Sequence, residues 1–437
     1  MKKKHRIIIC ISVAVLLLVI VWIMVTRVNI EPFLEDIDHM VYVLENNFPH
    51  LEVAYWAHGV DYRALAEGAR ESVRAMNSNC RDTFLGIMLY HFSPLFSTGH
   101  FNILGHTTFN VYEQEIAYGG YQGEKWLMNL QQMRSEEAAR FYGNVNEGRI
   151  EAYQRSRRNL TQTYGMQHNR FWARDRVSQP VTSNIIEVGR IAYVSSGNSM
   201  AELWWGRRII NMTFIQLSGF EHLIIDMRGN GGGDVEAFID ILLRPILRVP
   251  IETPNAFFFF IDGPYVRRFG DILFKPTTYN GNMTITEPYR PVNEILADFE
   301  FTDITYTDFE RFDYGAPAGR LDPIMPPRGV YWRVPNFYGH IWLLTCNTMG
   351  SAAQQAAWLA QETGHITLVG DITGGCIGGP RTMAFLPNTG IIFYFDIFYI
   401  TDRHGRPLEA GTIPHYFNRP GLDALKTVLA MIEEGVY

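Results

Sequence analysis

Apolar and polar positions change rhythm several times along the chain. Ile7 to Thr26 is a run of 20 residues without a charge, long enough as a helix to cross ~30 Å of hydrocarbon. It follows MKKKHR and ends in Trp22-Ile-Met-Val-Thr26 rather than a small-x-small cleavage site, which predicts a retained transmembrane anchor rather than a removed signal peptide. Residues 1–6 then form a cytoplasmic stub, 7–26 the anchor, and everything after Arg27 lies outside the cell membrane. From 31 to 92, PFLEDIDHMVYVLENNF and YRALAEGARESVRAMN place apolar residues at i, i+3, i+4, and TFLGIMLYHF continues the pattern. This predicts a helical domain over 30–110.

Residues 135–175 are mixed-charge and helical in pattern, so 111–180 is expected to be a helical insertion or spacer. From about 185 short apolar runs alternate with helical stretches: RIAYVSS, AELWWGRRIINMTFIQLSG, HLIIDMRGNGGG, DVEAFIDILLRPIL, and later HIWLLTCN, SAAQQAAWLAQETG, ITLVGDIT and IIFYFDIFYIT. That alternation predicts an α/β core over 181–437, closed by the helix LDALKTVLAMIEEG. Between 255 and 335 the chain is rich in Pro, Tyr and Phe, and strands with long loops are expected there. These aromatic residues either line a substrate groove or simply pack, and packing is the plainer reading.

Composition narrows the function classes. With 437 residues, 47% of them hydrophobic and only 19% charged, the chain buries a large core, which excludes a disordered tail or a fibre. Formal charge is −7, but Lys2, Lys3, Lys4, Arg6 and Arg27 all fall in the first 29 residues, where no acid stands. The rest carries 33 basic against 45 acidic residues, a net of −12. An acidic body without a basic run interleaved with aromatics excludes nucleic acid as a partner. Cys10, Cys80, Cys346 and Cys376 contain no CxxC pair, so no metal or disulfide framework is implied. A Cys346 to Cys376 bridge and two buried thiols both remain open.

Three places carry candidate chemistry. In HIWLLTCNTMG-SAAQQAAWLA, Ser351 stands between a strand and a helix N-terminus, where free amides and the helix dipole favour an oxyanion. The competing reading is a plain N-cap, which serine favours on its own account. In LIIDMRGNGGG, Gly229 and Gly231 to Gly233 follow an apolar strand and allow close approach of backbone amides to an anion. Asp234 stands where a dinucleotide fingerprint needs its last glycine, so an oxyanion loop fits better. His100 in FSTGHFN and Glu409 in GRPLEAGTIP are far apart in sequence, yet serine catalysis needs a base and an acid that orients it, in any chain order. His106 suggests a metal pair with His100, but no third ligand accompanies it.

Taken together these motifs resemble the C-terminal-processing, or tail-specific, serine peptidases and the tricorn-core peptidases. FSTGH is similar to the family's DGH-like motif, LIIDMRGNGGG to its glycine loop and TMGSAAQ to its nucleophile turn. VGDITGGCIGG with LPNTG, and GRPLEAGTIPHYF, are similar to its closing segment. The resemblance implies a crotonase-like α/β core and a serine endopeptidase without a cofactor. It also implies Ser351 as nucleophile, His100 as base, Glu409 as the orienting carboxylate, and the amides of Ala352, Gly231 and Gly232 as the oxyanion hole. Where the Ser-Lys members carry lysine this chain has Cys376, which points to the Ser-His-Glu type. Other departures are Thr98 in the DGH-like motif, Gln354 in SAAQ, His415 in PH for PD, and no PDZ-like stretch between 110 and 180. The expected partners are a polypeptide substrate and, through the anchor, a membrane. The alternatives are an inactive relative that binds peptides as a scaffold, and a crotonase-like acyl-group enzyme that needs no serine.

Overall fold

The structure is a computed structural model; it describes residues 28–96, 98–117, 124–143, 180–253, 255–267, 278–279, 283–319, 322–326, 337–379 and 381–437. The expected anchor, the stub before it, and the part of the expected spacer from 144 to 179 lie outside the described residues. Among the described residues no helix is long and apolar enough to cross a membrane.

The helical pattern of the first hundred residues yields α1 (Glu31–Asn47), α2 (Leu51–His58), α3 (Tyr62–Arg74) and α4 (Arg81–Phe92). Their apolar stripes meet in one cluster that includes Ile37, Met40, Leu44, Phe84 and Met88. A two-residue strand β1 (Asn102–Ile103) follows, then α5 (His106–Ala117), α6 (Glu124–Met133) and α7 (Glu136–Tyr142). Phe109, Met133, Phe141 and Tyr142 enter the same cluster as the first four helices.

The α/β alternation produces β2 (Val181–Glu187), β3 (Ile191–Ser196), α8 (Met200–Phe214), β4 (His222–Asp226) and α9 (Val235–Ala237). The helix expected over DVEAFIDILLRPIL changes pitch: α9 continues as a π-helical stretch, Phe238–Leu243, and a 3-10 turn, Arg244–Ile246. The aromatic stretch holds β5 (Ala256–Phe260), β6 (Thr278–Tyr279), β7 (Met283–Ile285), β8 (Arg290–Pro291), two short helices, α10 (Val292–Asp298) and α11 (Tyr306–Phe309), and β9 (Tyr314–Gly319). Phe257, Phe259, Phe309 and Phe312 of this stretch are buried against Tyr399 and Val53, so these rings pack as core.

The final third gives β10 (His340–Thr345), α12 (Ala352–Glu362), β11 (Ile366–Gly370), β12 (Arg381–Phe385), β13 (Ile392–Asp396), β14 (Tyr399–Asp402), β15 (Tyr416–Phe417) and α13 (Ala424–Glu434). Three sheets result. The first runs β15-β11-β10-β4-β3-β2, parallel from β15 to β3 with β2 antiparallel at its edge. Its strands alternate sides: Leu223, Ile225 and Leu343 face one cluster with α8 and α12, while Ile224, Trp342 and Leu344 face another with α13. Covering on both faces explains why these strands read as continuous apolar runs. The second sheet is antiparallel, β1-β13-β12, and the third is β14-β5-β9-β7-β6 with β8 beside β9. The apolar run IIFYFDIFYIT, expected as one strand, is therefore two strands in two sheets.

Candidate active site

Ser351 and the glycine loop both stand at the carboxyl ends of parallel strands, where open α/β sheets place their ligands. β10 ends at Thr345, and α12 begins at Ala352 with Ser351 just before it. The Ser351 side chain makes no capping bond. Its Oγ instead lies 3.0 Å from His100 Nε2, which removes the plain N-cap reading. Its backbone holds φ +55, a strained conformation for a residue with a Cβ. Among the described residues only His100, Ser351 and Cys376 combine a side chain with positive φ. His100 touches Ser351, and the Cys376 thiol accepts the His100 amide.

His100 is placed by strand pairing. β1 pairs antiparallel with β13, Asn102 opposite Tyr394 and Ile103 opposite Phe393. Continuing that register by two residues sets His100 opposite Asp396, and the Asp396 amide donates to Gly99 O at 2.9 Å. The side chains meet: His100 Nδ1 lies 2.5 Å from Asp396 Oδ2. Asp396 is fully buried, and its Oδ1 has no hydrogen-bond partner among the described residues. Across the next strand pair Arg381 stands opposite Asp396, a positive charge beside the carboxylate. Gly99 must be glycine, because a Cβ there would collide with the rings of His50 and Phe48 and its φ is +47. His50 Nε2–H donates to Phe398 O, 2.9 Å away, and burial pushes the ring down to about 4, so a neutral imidazole supports the Gly99 turn.

Glu409 does not meet the imidazole. The carboxylate against His100 belongs to Asp396, and Glu409 Oε1 and Oε2 accept the amides of Cys376 (3.1 Å) and Ile377 (2.8 Å). Gly99 donates to it as well, so Glu409 ties the turn before His100 to the Cys376 loop. Burial raises its carboxyl well above the usual range, and the Asp396 charge adds to the rise. Sequence reasoning missed Asp396. The available signal was a lone charge inside IIFYFDIFYIT, since a buried carboxylate requires a partner.

The expected oxyanion donors divide. Gly231 N–H donates to Asn198 O at 2.9 Å and Gly232 N–H to Asn230 Oδ1 at 3.0 Å, so both are engaged within the protein. The amide of Ala352, at the first position of an 11-residue helix, has no partner among the described residues. Gly232 lies directly against the serine: a Cβ on it would come 2.6 Å from Gly350 O, 2.7 Å from Ser351 Cβ and 2.9 Å from Ala352 N.

The departures from the expected motifs have structural uses. Gln354 Nε2 donates to Leu408 O and Thr412 Oγ1, both at 3.0 Å, and Thr373 Oγ1 donates to its Oε1. A glutamate could not make both donations, so glutamine fits this position. His415 Nδ1 accepts the Leu368 amide at 2.9 Å. Cys346 and Cys376 are free thiols; Cys346 Sγ accepts the Gly229 amide, and burial raises the Cys376 thiol. His106, fully buried, bonds Asp82 at 2.6 Å rather than approaching His100 as a metal pair.

No model of a known protein family matches the chain. Solved structures similar to it include mature CPAF complexed with lactacystin, 12% identical with a TM-score of 0.46 over 93% of this chain and 97% of that one. The photosystem II D1 C-terminal processing protease is 14% identical, TM-score 0.32, over 59% and 51% of the two chains. The tricorn protease is 17% identical, TM-score 0.28, over 56% and 18%.

Proposed function

We propose that the chain is a serine-type peptidase in which Ser351 is the nucleophile, His100 the general base and Asp396 the carboxylate that orients the imidazole. One observation carries this reading: Ser351 Oγ, the His100 ring and Asp396 Oδ2 form a continuous relay of 3.0 and 2.5 Å at a helix N-terminus. Because Asp396 accepts from Nδ1–H, Nε2 is left as the acceptor for the serine proton. His100 takes that proton as Ser351 attacks the substrate carbonyl, then returns it to the leaving amine, and water releases the acyl-enzyme. The Ala352 amide and the positive end of α12 stabilise the oxyanion; one such donor is typically worth about 3 kcal/mol. Glu409 holds the His100 turn in place without touching the ring.

The choice of a peptide substrate rests on the five motifs in order, as does the crotonase-like description of the core. A crotonase-like enzyme that needs no serine would have no reason to hold Ser351 and His100 in hydrogen-bond contact. Membrane attachment, with the site outside the cell, rests on the uncharged run Ile7 to Thr26 and the basic residues before it. A second reading, a peptide binder without turnover, draws on the engaged amides of Gly231 and Gly232.

Digestion of a peptide library, read by mass spectrometry for the wild type and Ser351→Ala, separates these readings. A peptidase cleaves only as wild type. A binder cleaves in neither form while both retain peptide affinity, and equal cleavage in both removes Ser351 as nucleophile.

A further inference from the structure

The inner face of α8 is fully used. Leu203, Ile210 and Phe214 are buried, and Gly206 lets Val181 of β2 approach so closely that a Cβ there would collide with it. Its outer face is also apolar: Trp204, Trp205, Ile209 and Met212 are exposed, as is Ile215 just beyond the helix, Trp205 to 89% and Ile215 to 66%. A monomer in water has no use for such a stripe, and contiguous exposed apolar surface marks a docking site.

We propose that this outer face of α8 is a docking surface for an anionic phospholipid bilayer. The inference goes beyond the peptidase chemistry and rests on the reading of Ile7 to Thr26 as an anchor, which would hold the described chain, beginning at residue 28, beside a bilayer. Three features select lipid. Paired tryptophans are the residues that settle at headgroup depth. Arg208 is exposed on the same helix, in a body whose net charge is −12. Its one acid, Glu202, accepts the Asn198 amide at 3.4 Å. An apolar stripe with an arginine beside it is the pattern of a helix lying in an anionic interface. A second copy docked by this face across a two-fold axis would bring the Arg208 side chains of both helices together, which disfavours that occupant.

The test uses the full chain reconstituted into vesicles whose acyl chains carry bromine, a short-range quencher of tryptophan, with and without phosphatidylglycerol. Wild type is compared with the double variant Trp204→Ser/Trp205→Ser. Both substitutions are on the surface and away from the proposed catalytic groups, so unchanged turnover confirms folding. Wild type should lose about a third of its emission, three bilayer-contacting tryptophans of nine, against about a seventh in the variant, Trp22 of seven. The excess should grow with phosphatidylglycerol and shrink at ~1 M salt. Quenching of Trp22 alone in both proteins leaves the anchor standing and overturns the docking surface. No quenching in either overturns anchor and surface together. An excess seen only in nanodiscs holding two chains assigns the face to a second copy and also overturns the proposal.

Discussion

His100 and Asp396 stand opposite each other because two short strands pair in one register, and their side chains meet at 2.5 Å. Nearly 300 residues of sequence separate them, yet a slip of one residue in that pairing would turn one side chain to the other face of the sheet. The same ladder that stabilises β1 against β13 therefore sets the tautomer of the imidazole that faces Ser351.

Asp396→Asn tests that arrangement. Asparagine keeps the shape but favours the wrong tautomer, and kcat should fall by about 10⁴, the scale of the equivalent change in a well-studied serine protease. Glu409→Gln leaves the His100 contact intact and should cost less in kcat than Asp396→Asn. Steady-state peptide hydrolysis of the two variants checks the order; the reverse order would return the orienting role to Glu409.

Gly232→Ala probes the floor of the site. The added methyl meets Gly350 O, Ser351 Cβ and Ala352 N within 3 Å, at a residue whose φ is +103. Displacing the nucleophile and its neighbouring amide together should lower kcat by about 10²-fold or more. Circular dichroism with kinetics checks that the loss belongs to the site rather than to unfolding.

How much of this was legible beforehand follows from local chemistry. The parallel core announced itself because β4 and β10 are buried on both faces and flanked by helices with clear periodicity. Ser351, His100 and the glycine loop were visible through turn chemistry and motif order. Asp396 was hidden because IIFYFDIFYIT reads as one buried strand, and nothing in its pattern marks the break after Asp396 that sends β13 and β14 to different sheets. The engagement of Gly231 and Gly232 amides was hidden for a similar reason: their acceptors, Asn198 O and Asn230 Oδ1, are decided by loop packing. The helices α10 and α11 were missed in a stretch whose aromatic residues obscure any helical period.

Asp308 supplies a pH signature. Its Oδ2 accepts from Tyr399 O–H at 2.7 Å and Trp56 Nε1–H at 3.0 Å, and burial pushes its carboxyl up to about 6. The folded protein thus holds this proton more tightly than the unfolded chain, whose carboxyl titrates near 3.9. Stability from this group is full below about pH 4 and declines as pH rises through about 6. Asp308→Asn keeps an acceptor for both donors and has nothing to titrate. Relative to wild type the variant should gain up to about 3 kcal/mol between those limits, measured by urea denaturation across the range; a difference that stays flat with pH would assign the proton elsewhere.

The most direct test of the central claim is covalent: intact and peptide-level mass after treatment with a fluorophosphonate, which labels only an activated serine. The account predicts one adduct, on Ser351, that is lost in His100→Ala and strongly slowed in Asp396→Asn. Labelling that is absent from the wild type, sits on another residue, or persists undiminished in His100→Ala would contradict it.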